Sequence, residues 1–272
     1  TLDPALGVNL TGTLEITALD LNLVNNRPDG VTPWTHLNWN QAVDLDEDGT
    51  HDVLNPGADL PNPRDLTLNL EHTLRFRLSG RVTGDPTNND AFLTIEDGKD
   101  GTDLLQLTGI AEFALVRRIV DVDVNRDNLF LLKGATLDTL AFTLDNAGVI
   151  VADVATLNVS GELALAQVTA KGESKARYMT FQMGSVTVDG TLDPALGVNL
   201  TGSLEIAALD LNLVNNRPDG VTPWTHLNWN QAVDLDEDGT HDVLNPGADL
   251  PNPRDLTRSL EHPLRFRLSG RV

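Results

Sequence analysis

Three aspartates, Asp44, Asp46 and Asp48, stand at alternate positions of one short acidic segment. Gly49, Thr50 and Asp52 follow them. Glycine permits a sharp turn, and in a tightly coiled loop alternate carboxylates converge and repel one another unless a cation is bound. Ca²⁺ takes about six to eight oxygen ligands. We therefore predict a Ca²⁺ cofactor, held by the four aspartate carboxylates and the backbone carbonyl of Thr50.

The same acidic segment occurs a second time, further along the chain. A solvated acidic turn without metal is the alternative interpretation of both segments. The predicted metal ligands of the second segment are Asp234, Asp236, Asp238, Thr240 and Asp242.

The pattern DxDxDGxxD, followed by the apolar Val53, resembles known calcium loops. It is similar to those of integrin-type FG-GAP blades, dockerins and thrombospondin type 3 repeats. It also matches the EF-hand loop up to its ninth position, but Asn55 stands where that loop has a bidentate glutamate. The resemblance implies that Asp52 and Asp242 supply the closing carboxylates. It implies a binding loop and no particular fold.

Two further acidic segments are weaker metal candidates. Residues 121–127 alternate in the same way but have Arg126 where the loop needs glycine, so we favour an acidic strand edge over a calcium site. Residues 97–103 are interpreted as a polar hairpin loop, again with calcium as the alternative.

All four tryptophans lie shortly before the two main acidic segments. They could anchor a long loop in a small apolar core, or they could stack on the sugar rings of a polysaccharide. We favour the anchoring role. The residues concerned are Trp34, Trp39, Trp224 and Trp229.

The acidic segments belong to a long internal repeat, because residues 1–82 recur at 191–272. We divide the chain into a first copy (1–83, with a loop insertion at 25–65), unit B (84–190) and a second copy (191–272, with a loop insertion at 215–255). Such repeats usually serve reach, spacing or multivalency, and we interpret the chain as a window on a longer array. The copies differ at Thr13/Ser203, Thr17/Ala207, Leu68/Arg258, Asn69/Ser259 and Thr73/Pro263.

Alternation of apolar and polar residues predicts strands along most of the chain. Within residues 10–23 the alternation changes parity near Ala18, which predicts a β-bulge or a strand break. Residues 145–148 (DNAG) predict a hairpin turn. We predict an all-β, elongated, antiparallel tandem-repeat architecture, either stacked sandwiches or one continuous sheet, with long calcium-binding loop insertions.

The composition disfavours several classes of function. The net charge of −21 disfavours binding to nucleic acid or to anionic membranes. No apolar run is long enough to predict membrane insertion, and the chain has no cysteine. We find no GxSxG, HExxH or phosphate-binding glycine loop, so we expect no enzyme activity.

Taken together, the long repeat, high acidity, alternating strands and calcium-type loops resemble the repeat regions of giant bacterial extracellular adhesins and surface fibres. The resemblance implies a structural extender outside the cell, with neighbouring repeats of the same chain or identical chains as partners. Two alternatives remain open. One is a calcium-dependent polysaccharide-binding module, and the other is a self-assembling extracellular filament subunit.

Overall fold

Long antiparallel strands make up most of the described chain. The computed structural model describes residues 8–9, 12–25, 27, 35–84, 93–96, 103–124, 130–151, 155–171, 176–192, 201–215, 225–257, 260–261 and 263–272. These residues contain no α-helix, which confirms the all-β prediction. The strands are β1 (Val8–Asn9), β2 (Thr13–Leu21), β3 (Leu74–Gly84), β4 (Leu93–Glu96), β5 (Asp103–Leu107), β6 (Gly109–Val122), β7 (Leu132–Val151), β8 (Ala155–Thr169), β9 (Arg177–Leu192), β10 (Thr201–Val214), β11 (Val233–Asp234) and β12 (Phe266–Arg271).

All of these strands belong to one sheet of twelve strands. The main order is β2-β3-β6-β7-β8-β9-β10-β12, and every neighbouring pair is antiparallel. Strands β1, β4 and β5 extend the sheet beside β7, and the short β11 pairs with β6. Of the two predicted architectures, the continuous sheet is therefore the one observed.

The sheet crosses both boundaries between unit B and the two copies. Strand β9 starts in unit B and pairs with β10 of the second copy, with Val188 opposite Leu204. On the other side, β3 of the first copy pairs with β6 of unit B, with Arg81 opposite Glu112. Unit B thus shares backbone hydrogen bonds with each copy.

A β-bulge lies in the first strand of each copy, as the change of parity predicts. The register of β2 against β3 shifts between Ile16 and Ala18, and β10 shifts at the equivalent place. Because residues directly opposite each other share a face, Ile16 and Leu19 stay on the same face of the sheet. The extra residue keeps the apolar positions on one side.

The hairpin turn predicted at residues 145–148 is wrong. Strand β7 runs through it, with a register shift against β8 between Leu144 and Ala147. The Gly148 carbonyl accepts a hydrogen bond from the Thr108 N–H at 2.8 Å, and a Cβ at position 148 would collide with the Thr108 hydroxyl. The glycine therefore lets β7 approach Thr108, the residue between β5 and β6, and does not form a turn.

The second docking segment, defined as residues 225–260, lies with its described residues (225–257 and 260) across one face of β6 to β9 and buries it. Leu250 and Leu256 pack on three alanines, Ala114, Ala141 and Ala164. A larger core forms around Trp229, which contacts apolar residues of these four strands. Its strand residues are Val120, Val122, Ala135, Leu137, Ala166, Val168 and Tyr178.

Trp229 anchors the second docking segment from within. Its side chain is 0% exposed, and its indole N–H donates to the Asn212 side chain at 3.1 Å. It is therefore not available to stack on a sugar, and its position agrees with the anchoring interpretation. Trp39 is half-buried against Leu70, Leu74 and Val116. Trp34 and Trp224 lie outside the described residues.

The two tryptophans make a matched pair for mutation because their flanking sequences are identical. We expect Trp229→Ala to lower the free energy of unfolding by about 3–5 kcal/mol, the usual cost of removing a buried tryptophan. Trp39→Ala, the control, should cost clearly less because its side chain is half-buried. Urea unfolding of both variants measures the difference, and equal losses would contradict the burial described.

Candidate metal centre

The first acidic loop, residues 44–52, is wound around its own carboxylates. The Asp44 carboxylate accepts hydrogen bonds from the backbone N–H groups of Asp48 at 3.2 Å and Gly49 at 2.9 Å. The Asp52 carboxylate accepts from the Leu45 N–H at 2.6 Å and so draws the two ends of the loop together. The chain therefore turns tightly enough to bring the carboxylates close to one another.

Glycine at position 49 is required by the backbone conformation. Its φ is +87°, in the left-handed region, and a Cβ there would meet no atom within 4 Å. The constraint is thus conformational strain and not space. Glu47 also has a positive φ, of 61°. These two residues together reverse the chain around Asp48.

Thr50 braces the loop in addition to its predicted role as a carbonyl ligand. Its hydroxyl and its backbone N–H donate to the same Asp48 oxygen, at 2.7 Å and 2.8 Å. These two hydrogen bonds lower the pKa of Asp48 and so favour its charged form. A charged, oriented carboxylate is what a hard cation needs.

The carboxylates of each acidic loop cluster closely enough to share one ion. Oxygens of Asp44, Asp46 and Asp48 lie within 4.8 Å of one another in the first loop. In the second acidic loop, residues 234–242, the same holds for Asp234, Asp236 and Asp242. The donors are anionic oxygens without nitrogen or sulfur, and this set fits Ca²⁺ chemistry.

The second acidic loop repeats the hydrogen bonds of the first. Asp234 accepts from the N–H groups of Asp238 at 3.2 Å and Gly239 at 2.9 Å, and Asp242 accepts from Leu235 at 2.6 Å. Thr240 donates to Asp238 in the same way as Thr50 does to Asp48. Since the surroundings of the two loops differ, their common geometry is determined by the local sequence.

The carboxylates of the second acidic loop are more buried than those of the first. Asp44 is exposed, whereas Asp234 is 1% exposed and lies in β11 opposite Asp121 of β6. Burial raises the pKa of Asp242, and the charges of Asp236, Asp234 and Asp238 raise it further, against a lowering effect of the Leu235 N–H. Negative charge is therefore concentrated where a cation would relieve it.

Some of the contacts that position this loop could not be foreseen from local motifs. The His241 ring lies 3.1 Å from the carboxylate of Asp123, whose side chain is fully buried. Asp121 accepts from the Lys133 ammonium group at 2.5 Å and from the Gly134 N–H at 2.9 Å. Protein groups thus engage both aspartates, which are buried at the end of β6, a strand paired on both sides and not at an edge of the sheet.

Parts of the two weaker acidic candidates are outside the described residues. These parts are residues 125–127 of the first candidate and residues 97–102 of the second. Asp103 is described and starts β5.

The second copy also reaches the first copy through charged side chains. The His72 ring lies 3.2 Å from the Glu237 carboxylate, beside the second acidic loop's glycine turn. Arg77 of β3 contacts Asp249 at 3.4 Å and Asp20 of its own copy at 2.5 Å. The second acidic loop therefore lies where the two copies meet over unit B.

Comparison with protein-family models, with curated proteins and with solved structures found no match for this chain. Within the described residues, no helix is long and apolar enough to cross a membrane. The functional interpretation therefore depends on the geometry of the two acidic loops and their surroundings.

The raised pKa of Asp242 predicts a pH dependence of the metal-free protein. A carboxyl group with a raised folded-state pKa favours folding at low pH, and this contribution is lost as the pH rises from about 3.9, the ordinary value, through the raised one. Asp242→Asn cannot ionise and should escape that loss. In EDTA, we expect it to increase the free energy of unfolding relative to the wild type, and by more at pH 7 than at pH 4.

Asp59→Asn, at an exposed carboxyl group outside the acidic loops, is the control. Urea unfolding at the two pH values measures both variants. If Asp242→Asn raised the free energy of unfolding by the same amount at pH 4 and at pH 7, ionisation at this position would not affect stability.

Proposed function

We propose that this chain is a calcium-stabilised structural repeat segment of a long secreted or cell-surface fibre or adhesin, and that it acts as an extender or spacer without enzyme activity. One observation carries the proposal. The segment that bears the second acidic loop is also the segment that joins the second copy to unit B and to the first copy.

The location of the second acidic loop supports a role in holding the repeats at a defined geometry. Its strand β11 pairs with β6, and β6 also pairs with β3 of the first copy. Through Glu237 it contacts His72 of that copy. A cation that stiffens the loop would therefore stiffen the junction as well, because the same backbone takes part in both.

The charge of the chain supports an environment rich in divalent cations. The net charge is −21, and the buried Asp234 and half-buried Asp242 of the second loop add local repulsion. Calcium sites of extracellular modules have dissociation constants on the order of 10⁻⁴–10⁻³ M, which is sufficient where calcium is millimolar. Weak sites repeated at 190-residue intervals would thus be occupied outside the cell.

Calcium should stabilise the folded chain. At a calcium concentration about a hundred times the dissociation constant, each site adds about 2.7 kcal/mol to the free energy of unfolding, which raises Tm by several degrees. We expect the double variant Asp46→Asn with Asp236→Asn to lose most of that rise. Differential scanning calorimetry in calcium and in EDTA, at constant ionic strength, measures it.

The matched control is Asp65→Asn with Asp255→Asn. It removes one charge from each copy at exposed aspartates that bond to neighbouring threonines outside the acidic loops. It should keep the full calcium-linked rise. If the wild type shows no rise, or if the control loses as much as the test variant, calcium is not bound in these loops.

The self-assembling filament is a second candidate, favoured by the two outer strands of the sheet. Among the described residues, β2 pairs with β3 alone and β12 pairs with β10 alone, so each presents an edge on which another chain could add a strand. Sedimentation velocity over a wide concentration range distinguishes the two. An extender should sediment as one species at all concentrations, whereas a sedimentation coefficient that increases with concentration would support the filament.

A further inference from the structure

The two copies share their docking sequence but differ in how deeply it is buried. Residues 35–70, here called the first docking segment, are the counterpart of the second docking segment. Leu37 is 51% exposed, whereas its copy Leu227 is 0% exposed. Leu66 is 52% exposed, and its copy Leu256 is 8% exposed. The first docking segment therefore presents, uncovered, the apolar surface that the second one buries.

The same difference occurs at several other positions of the docking segment. Leu60 is 42% exposed, against 3% for its copy Leu250. Trp39 is half-buried, against full burial of Trp229. Ala42 and Pro56 are exposed, and both of their copies are buried. The surface that unit B covers in the second copy is thus available in the first.

The first strands of the two copies differ in the same sense. Strand β10 pairs on one side with β12 and on the other with β9 of unit B. Its counterpart β2 pairs with β3, and among the described residues its other edge has no strand. Within the strand, the two differ only at Thr13/Ser203 and Thr17/Ala207. Backbone groups make the pairing, so β2 retains the ability to pair with a strand of β9 sequence.

The first docking segment is already held in the docking orientation. The Asn22 side chain donates to the Leu37 carbonyl at 3.0 Å, just as Asn212 donates to the Leu227 carbonyl at 3.0 Å. Asn22 also donates to the Glu71 carbonyl at 3.1 Å, and it is 2% exposed. This arrangement reduces the ordering cost of binding, because the segment need not fold at that moment.

We propose that this surface, formed by the first docking segment and the open edge of β2, is the docking site for another unit B that precedes the first copy in the same polypeptide. Its last strand would pair with β2 as β9 pairs with β10. Its three alanines would lie under Leu60 and Leu66, and the neighbouring valine-rich part of the same face would lie under Leu37. The proposal deepens the spacer function, on which it rests, by naming the partner of each copy.

A second copy of this chain is a less suitable occupant. Its unit B face is already covered by its own second docking segment, through Trp229 and its neighbours. Docking in trans would replace that interface by one of the same sequence and would leave the displaced segment exposed. No net apolar surface would be buried. A preceding unit B without a docked copy has its face free and gains the whole interface.

The test is an extended chain in which residues 84–190 are fused directly ahead of residue 1, which reproduces the junction after Gly190. Hydrogen exchange with mass spectrometry distinguishes the β2 and β10 peptides because positions 13 and 17 differ between the copies. In the 272-residue chain, we expect β2 to exchange at least about tenfold faster than β10. In the extended chain, hydrogen exchange of the β2 peptide should slow to the rate of the β10 peptide.

A pair of variants supplies a second measurement. In the 272-residue chain, Leu37→Ser with Leu66→Ser should change Tm by less than about 2 °C, since both side chains are exposed. In the extended chain the same pair should abolish the slowing of β2. The matched pair Leu227→Ser with Leu256→Ser should lower Tm of the 272-residue chain by more than about 5 °C.

Unchanged exchange of β2 in the extended chain would overturn the proposal, and so would slowing that persists in the Leu37→Ser, Leu66→Ser variant. Both measurements are made in calcium and in EDTA. Slowing of β2 without any calcium-linked rise in Tm would retain the docking and reject the calcium role. A calcium-linked rise in Tm without slower exchange of β2 would retain the calcium role and reject the docking.

Discussion

The structure depends on the burial of one sheet face beneath the second docking segment. Ala114, Ala141 and Ala164 are opposite one another across β6, β7 and β8, and their small side chains let Leu250 and Leu256 lie close to the strands. Trp229 fills the next part of the same face. A single sheet buries little apolar surface by itself, so a covering layer is a condition of its stability. The loop insertion supplies that layer.

Polar contacts then determine how the covering layer is placed. Asn212 accepts from the Trp229 indole and donates to the Leu227 carbonyl, and both contacts are buried. An alternative placement of the segment would leave the buried Asn212 side chain without these two partners, and unpaired buried polar groups are costly. Apolar burial thus supplies most of the stabilisation, and the polar pairs restrict it to one arrangement.

Features encoded over a few residues could be predicted from the sequence, and features that depend on distant partners could not. Strand alternation, the bulge near Ala18 and the tight turn around Gly49 are all local. The partner of Asp123 lies 118 residues away, at His241, and no motif indicates it. Residues 145–148 have the composition of a turn, but pairing with β8 on both sides overrides that preference. Trp39 and Trp229 have identical neighbours in sequence, so no local pattern could distinguish their burial.

The repeated sequence has two properties that respond differently to docking: the geometry of the acidic loop and the burial of the apolar surface. The acidic loops have the same hydrogen bonds in an exposed copy and in a docked copy, so a cation site in them would be determined by the loop alone. The apolar surface of the docking segment takes effect only when a unit B lies beneath it. Docking nevertheless changes the site, because burial of Asp234 places its charge in a lower dielectric, where both repulsion between carboxylates and attraction to a cation are stronger. The same ion would therefore matter more to a docked copy than to a free one, and calcium would couple to the assembly of the repeats through this loop.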